Sequence, residues 1–108
     1  MVNSSTISER GVLLQISDKL NAENVHELNI EIIRILNNGV DLVVMDLENL
    51  REIDSTGIGV ILSLQKRMQQ KNGEVKIIRV NGTVKKLFDL LHINRSMNIC
   101  ETVGVEMP

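Results

Sequence analysis

Asp41-Leu42-Val43-Val44-Met45-Asp46 is a continuous apolar run closed at each end by an acid. A strand with one face in water alternates polar and apolar residues. This run does not, and it reads as a strand buried on both faces in the middle of a parallel sheet. Upstream, Gly11-Val12-Leu13-Leu14-Gln15-Ile16 is a second strand, rich in branched residues. Between the two, a helix opening at Asn21 or Ala22 carries Val25, Leu28, Ile32, Ile35 and Leu36 at three- and four-residue spacings, which makes one apolar stripe. Asn37-Asn38-Gly39 closes it, since Asn and Gly tolerate the left-handed conformation of a helix C-terminus. Downstream, a short connector through Leu50 and Ile53 leads to Asp54-Ser55-Thr56, and a helix runs from there to about Lys71, stopped by Asn72-Gly73. Val75-Lys76-Ile77-Ile78-Arg79-Val80 is the next strand. Asn81-Gly82-Thr83 then turns into a helix bearing Val84, Leu87, Phe88 and Leu91, and Met97-Asn98-Ile99-Cys100 is a short last strand.

Strands and helices therefore alternate, which implies an α/β layer fold with parallel neighbours joined by right-handed crossovers. In such folds sites lie where strand C-termini meet helix N-termini. Asp54-Ser55-Thr56 stands at such a junction. A chain of 108 residues that is 43% hydrophobic fits one domain with its own core over residues 1–108. The single cysteine, Cys100, has no internal partner for a disulfide, which suits a cytoplasmic protein. No signal peptide is read at the start, and no apolar run is long enough to insert in a membrane. Twelve basic and 14 acidic residues give a net charge of −2, and Phe88 is the one aromatic residue. Neither backbone neutralisation nor base stacking is provided for, so nucleic acid is not the expected partner.

The segment Asp54-Ser55-Thr56-Gly57-Ile58-Gly59 has an ordinary reading as a helix N-cap, with hydroxyls and a carboxylate accepting from free N–H groups of the first turn. Two features go beyond that. Gly57 and Gly59 each cost about 1 kcal/mol relative to alanine inside a helix, so something approaches this backbone closely, either the sheet beneath or a partner outside. Ile58, Val60, Ile61, Leu62 and Leu64 also run almost round the helix, where a helix lying on a sheet needs only a stripe. Some of these side chains meet a neighbouring helix or form an exposed patch. The patch is favoured, because that end of the helix carries the hydroxyl cluster.

The segment Ile53-Asp54-Ser55-Thr56-Gly57-Ile58-Gly59-Val60-Ile61-Leu62 resembles the signature of the STAS domain, the fold of bacterial anti-sigma factor antagonists. Leu20-Asn21-Ala22-Glu23-Asn24 resembles that family's turn after its second strand, Val43 to Asp46 its central strand, and Val84 to Ile93 its last helix. The resemblance implies a mixed, mostly parallel sheet of four to five strands packed with three to four helices. It also implies a partner switch without a cofactor or an enzymatic activity of its own. The unphosphorylated antagonist binds an anti-sigma factor that is also a serine kinase, and so frees the sigma factor. Phosphorylation at the position of Ser55 ends the binding, and a serine phosphatase resets it. Around Ser55, Asp54, Asn21, Thr56 and Gly57 are then the supporting residues, and Ile58, Gly59, Ile61 and Leu62 the partner-binding ones. Asp54 is the candidate for orienting or activating Ser55. The family commonly has Gly and, after two positions, Asp in the turn before the first helix; this chain has Asp18 and Asn21 there.

A phosphate brings a charge of about −1.5 to −2 at pH 7. A helix N-terminus accommodates an anion, while the same charge beside Asp54 and within an apolar contact penalises a complex. A second reading keeps the fold without the switch, as an accessory subunit of a lipid or solute transporter or as a scaffold. His26 and His92 fall on separate helices and, with a single cysteine, do not make a zinc site. Ser55 lacks the Gly-x-Ser-x-Gly elbow of a hydrolase, Gly57-x-Gly59 lacks the rest of a phosphate loop, and Lys85 and Lys86 read as a solvated helix face.

Overall fold

In a computed structural model, residues 1–80, 82–92 and 98–100 are described. In chain order they form β1 (Val2–Ser8), β2 (Gly11–Ile16), β3 (Asp18–Leu20), α1 (Val25–Asn37), β4 (Leu42–Asp46), β5 (Leu50–Ile53), α2 (Ser55–Gln70), β6 (Glu74–Ile78), α3 (Gly82–Leu90) and β7 (Asn98–Cys100). Five strands make one sheet in the order β1-β2-β4-β6-β7, antiparallel between β1 and β2 and parallel elsewhere, while β3 and β5 form a small parallel pair.

The apolar run at β4 is the central strand, buried on both faces as its composition requires. Val43 and Met45 point to the helices, and Met45 is in register with Leu14 of β2 and Ile77 of β6 in a fully buried layer. Val44 points the other way and is buried with Ile78, against Ile7, Leu13 and Leu42. Leu28, Ile32 and Ile35 of α1, Ile58, Ile61, Leu64 and Met68 of α2, and Val84 and Phe88 of α3 all join the Met45 side, so the three helices cover one face.

Asp46 ends β4 and is only 4% exposed. A buried carboxylate needs partners. It accepts from Arg79 Nε at 3.2 Å, from a second guanidinium nitrogen of Arg79, and from the Glu48 N–H at 3.0 Å. That hydrogen bond to Asp46 raises the Arg79 pKa above its ordinary value and outweighs the opposing effect of burial. Arg79 adopts φ +56°, which ends β6 at Ile78 and leaves Val80 outside the strand expected to include it.

Other boundaries also move. The helix expected from Asn21 or Ala22 begins at Val25, because Asn21 first builds a turn. The connector through Leu50 and Ile53 is a strand, and the polar start is the edge strand β1. Leu91 lies beyond α3 and is exposed. The last strand is present as β7; Met97 and Ile93 lie outside the described residues.

Candidate functional site

The candidate site is the N-terminus of α2, held by the small β3–β5 pair. Leu20 and Ile53 are aligned across that pair, which brings the loop after β3 alongside the start of α2. Asp54 is the N-cap in extended conformation (φ −110°, ψ −176°). Its N–H donates to Leu20 O at 3.2 Å, its Oδ1 accepts from the Gly57 N–H at 3.0 Å, and its Oδ2 accepts from the Ala22 N–H at 3.3 Å. One carboxylate thus satisfies an orphan donor of the helix and ties the neighbouring loop to it. Both of its oxygens are engaged by backbone.

Ser55 and Thr56, the first two helical residues, are exposed, and among the described residues no side-chain hydrogen bond holds either hydroxyl. The first turn of α2 contains no acid. Its free N–H groups and helix dipole make the ground around Ser55 favourable to an anion.

The two glycines separate. A Cβ on Gly57 would stand 2.7 Å from Leu20 O and 2.9 Å from both Ile53 Cγ1 and Leu20 Cγ, so the small β3–β5 pair beneath is what demands this glycine. A Cβ on Gly59 would meet nothing within 4 Å. Fold packing explains the first glycine and leaves the second open to solvent.

The expectation that Ile58 and Ile61 face a partner is corrected. They are 7% and 1% exposed and belong to the core, in the stripe Ile58, Ile61, Leu64 and Met68. The apolar character round α2 arises because Val60 and Leu62 pack at the flanks of that stripe, half-buried against the same core. The three-, three- and four-residue spacing out to Met68 is the signal that separates core from surface here. Gly59 and Leu62 stay on the outward side. With Ser55 and Lys66 they repeat at four-, three- and four-residue spacing, which places all four on one face.

Asn21 shapes the loop rather than touching Ser55. Its Oδ1 accepts from the Glu23 and Asn24 N–H groups at 2.9 and 3.2 Å. Asn24 answers by accepting from the Asn21 N–H at 2.8 Å and donating to Lys19 O at 2.8 Å. Asp18, where the family commonly has Gly, adopts φ +70°, a left-handed conformation natural to glycine. His26 and His92 are both exposed, on α1 and beyond α3. Among the described residues no three His, Cys, Asp or Glu side chains gather to hold a metal, and no helix is long and apolar enough to cross a membrane.

The structure is thus an α/β module with its three helices on one face and an exposed hydroxyl pair at a capped helix N-terminus. The chain is a member of the STAS domain family, whose model matches residues 4–105. The anti-sigma F factor antagonist of Paenibacillus polymyxa is 40% identical over 57 residues, which is 53% of this chain and 49% of that protein, so the match spans about half of its length. The Thermotoga maritima protein TM1081 is 25% identical, with a TM-score of 0.88 over 98% of this chain and 91% of that one. The anti-sigma factor antagonist SpoIIAA in its unphosphorylated form shares the fold, with a TM-score of 0.79 at 16% identity, covering 98% and 93% of the two chains. Its phosphorylated form matches equally well.

Proposed function

We propose that this chain is an anti-sigma factor antagonist whose binding is switched by phosphorylation of Ser55. Unmodified, it binds an anti-sigma factor that is also a serine kinase; phosphorylated, it releases that partner, and a serine phosphatase restores it. The chain acts as a ligand in this cycle and contributes no catalytic group. The observation that carries the reading is the exposed Ser55 hydroxyl at the N-terminus of the 16-residue helix α2, beside a carboxylate already committed to backbone. That the relatives include proteins named anti-sigma factor antagonists, with one of the fold known in phosphorylated and unphosphorylated forms, supports it.

The physics gives the switch its sign. A phosphate on Ser55 meets the unpaired N–H groups of the first turn, so the fold tolerates it. In a complex the same dianion must be desolvated next to the Asp54 carboxylate. A penalty of about 3 kcal/mol lowers affinity more than a hundredfold. Supporting roles follow from the geometry: Asp54 caps and tethers, Gly57 seats the helix on the β3–β5 pair, Asn21 fixes the adjoining loop, and Gly59 and Leu62 lie on the contact face. Thr56 is the secondary acceptor.

The test uses the cognate anti-sigma factor with ATP, read by intact mass and site mapping, together with a binding titration. One phosphate on Ser55 and loss of binding by Ser55→Asp are expected. Absence of phosphate on Ser55, together with wild-type binding by Ser55→Asp, refutes the switch.

A further inference from the structure

Among the described residues the outer edge of β1 is open. Met1 and Ser17 exchange backbone hydrogen bonds at 2.9 and 3.1 Å, which marks them as a hydrogen-bonded pair of the β1–β2 ladder. Such pairs alternate along an antiparallel ladder. Asn3 and Ser5 therefore bond inward to β2, and Val2, Ser4 and Thr6 aim their N–H and C=O groups away from the sheet. The Val2 N–H confirms the phase, since it donates outward to Glu27 Oε1 of α1 at 2.8 Å. Among the described residues no strand pairs with this edge, and Asn3 to Thr6 are exposed. Natural edge strands are blunted by charge, proline or brevity. β1 has seven residues, Val-Asn-Ser-Ser-Thr-Ile-Ser, with no charge and no proline, and its one irregularity lies at its far end, between Thr6 and Ser8.

We propose that β1 pairs with β1 of a second copy of this chain, antiparallel about a two-fold axis at Ser4, joining the two sheets into one. The register is self-complementary. Ser4 exchanges both backbone bonds with the second copy's Ser4, and the Thr6 N–H at each end meets the C=O of the second copy's Val2.

The charges beside the strand fit the same axis. α1 runs parallel to β1, with Glu27 against Val2 at one end and Gly39 against Arg10 at the other, where Arg10 Nε donates to Gly39 O at 3.1 Å. Arg34 lies between these ends, paired with Glu31 of the same helix at 2.9 Å, and lines a groove with Ser4, Thr6 and Glu31. A two-fold at Ser4 sets the two α1 helices antiparallel and brings Arg34 of each toward Glu27 of the other. At these two contacts opposite charges meet, Glu31 beside them is offset by its own pairing with Arg34, and the uncharged strand adds no repulsion. Pairing two strands that each carried lysine at this edge would have the reverse sign.

The test is sedimentation velocity on the full chain, combined with amide exchange at several protein concentrations. A dimer is expected, with the Ser4 and Thr6 amides gaining protection as concentration rises and the Asn3 and Ser5 amides unchanged. Ser4→Pro removes the central outward donor at a position where an edge strand accepts proline, and should leave a monomer. Arg34→Glu, which leaves the strand untouched, should weaken the dimer about tenfold or more. A wild-type chain that stays monomeric at about 300 µM overturns the proposal, taking weak self-association as the threshold. So does a dimer unaffected by either variant and dissociated instead by Ile33→Ser on the solvent side of α1.

Discussion

The two faces of α2 follow different rules. Ile58, Ile61, Leu64 and Met68 point inward and are buried on the sheet. Ser55, Gly59, Leu62 and Lys66 point outward at comparable spacing, and only Leu62 among them touches the core. The inner face is selected for volume and shape, so its changes act on folding. The outer face bears little of the fold, so its changes are free to act on binding. A helix divided in this way can carry a chemical switch without transmitting the modification to the core.

The largest expected effect is on the inner face. Leu64→Ala empties a fully buried site, and the loss of contact plus the remaining cavity costs about 3 kcal/mol of stability. Denaturant unfolding should show it as a lower midpoint at an unchanged slope. Partner affinity per folded molecule should stay the same; a matching fall in affinity would show that the two faces are coupled.

Ser55→Asp is the mirror experiment. Stability should shift by no more than about 0.5 kcal/mol, because a charge at a helix N-terminus offsets part of its repulsion from Asp54. Affinity for the anti-sigma factor should fall more than a hundredfold, about 3 kcal/mol, in a calorimetric titration. A variant that binds normally would assign the outer face some use other than this switch.

Gly57 lies on the buried side of α2, at the end that carries Ser55. Gly57→Ala places a methyl group 2.7 Å from the Leu20 carbonyl oxygen and must displace either α2 or the end of β3. Such overpacking costs about 2 kcal/mol. The displaced strand carries the loop that Asp54 holds through Ala22, so binding should weaken as well. Thermal unfolding and titration together decide whether both quantities move, as the position of Gly57 requires.

How much of this was legible in the chain depends on how strongly each feature is patterned. β4 was readable because four apolar residues between acids have few other uses, and the core stripes of α1 and α3 were readable from their period. β1 was not, since both of its faces are polar or half-exposed and it leaves no apolar alternation to detect. β3 and β5 have three and four residues, too short for any period, yet they seat the site. The Asp-Ser-Thr-Gly junction was legible as a helix start, while the burial of the residues that follow it was partly misassigned. Ile58 and Ile61 were indistinguishable from Leu62 by composition, and the stripe continuing to Met68 is what separates them. The Asp46–Arg79 pair joins residues 33 apart through a left-handed backbone turn, which no local pattern announces.

The smallest expected effect is the one that best separates fold from recognition. Gly59 is exposed, in regular helix, with nothing within 4 Å of an added Cβ. Gly59→Ala should therefore stabilise the free protein by up to about 1 kcal/mol, since alanine restricts the unfolded chain and favours helix. On stability alone alanine is the better residue at this position. If the partner's backbone passes close over α2 one turn beyond Ser55, the added methyl group should at the same time weaken the complex by about 1 kcal/mol, the lower end of what overpacking a tight contact costs. The signs would then be opposite: a higher melting temperature and a weaker titration from one methyl group. A variant that gains stability and binds as tightly as wild type would place the contact elsewhere, on the loop at Asn21 to Asn24 or beyond Leu62, and would leave Ser55 at the rim of the interface rather than within it.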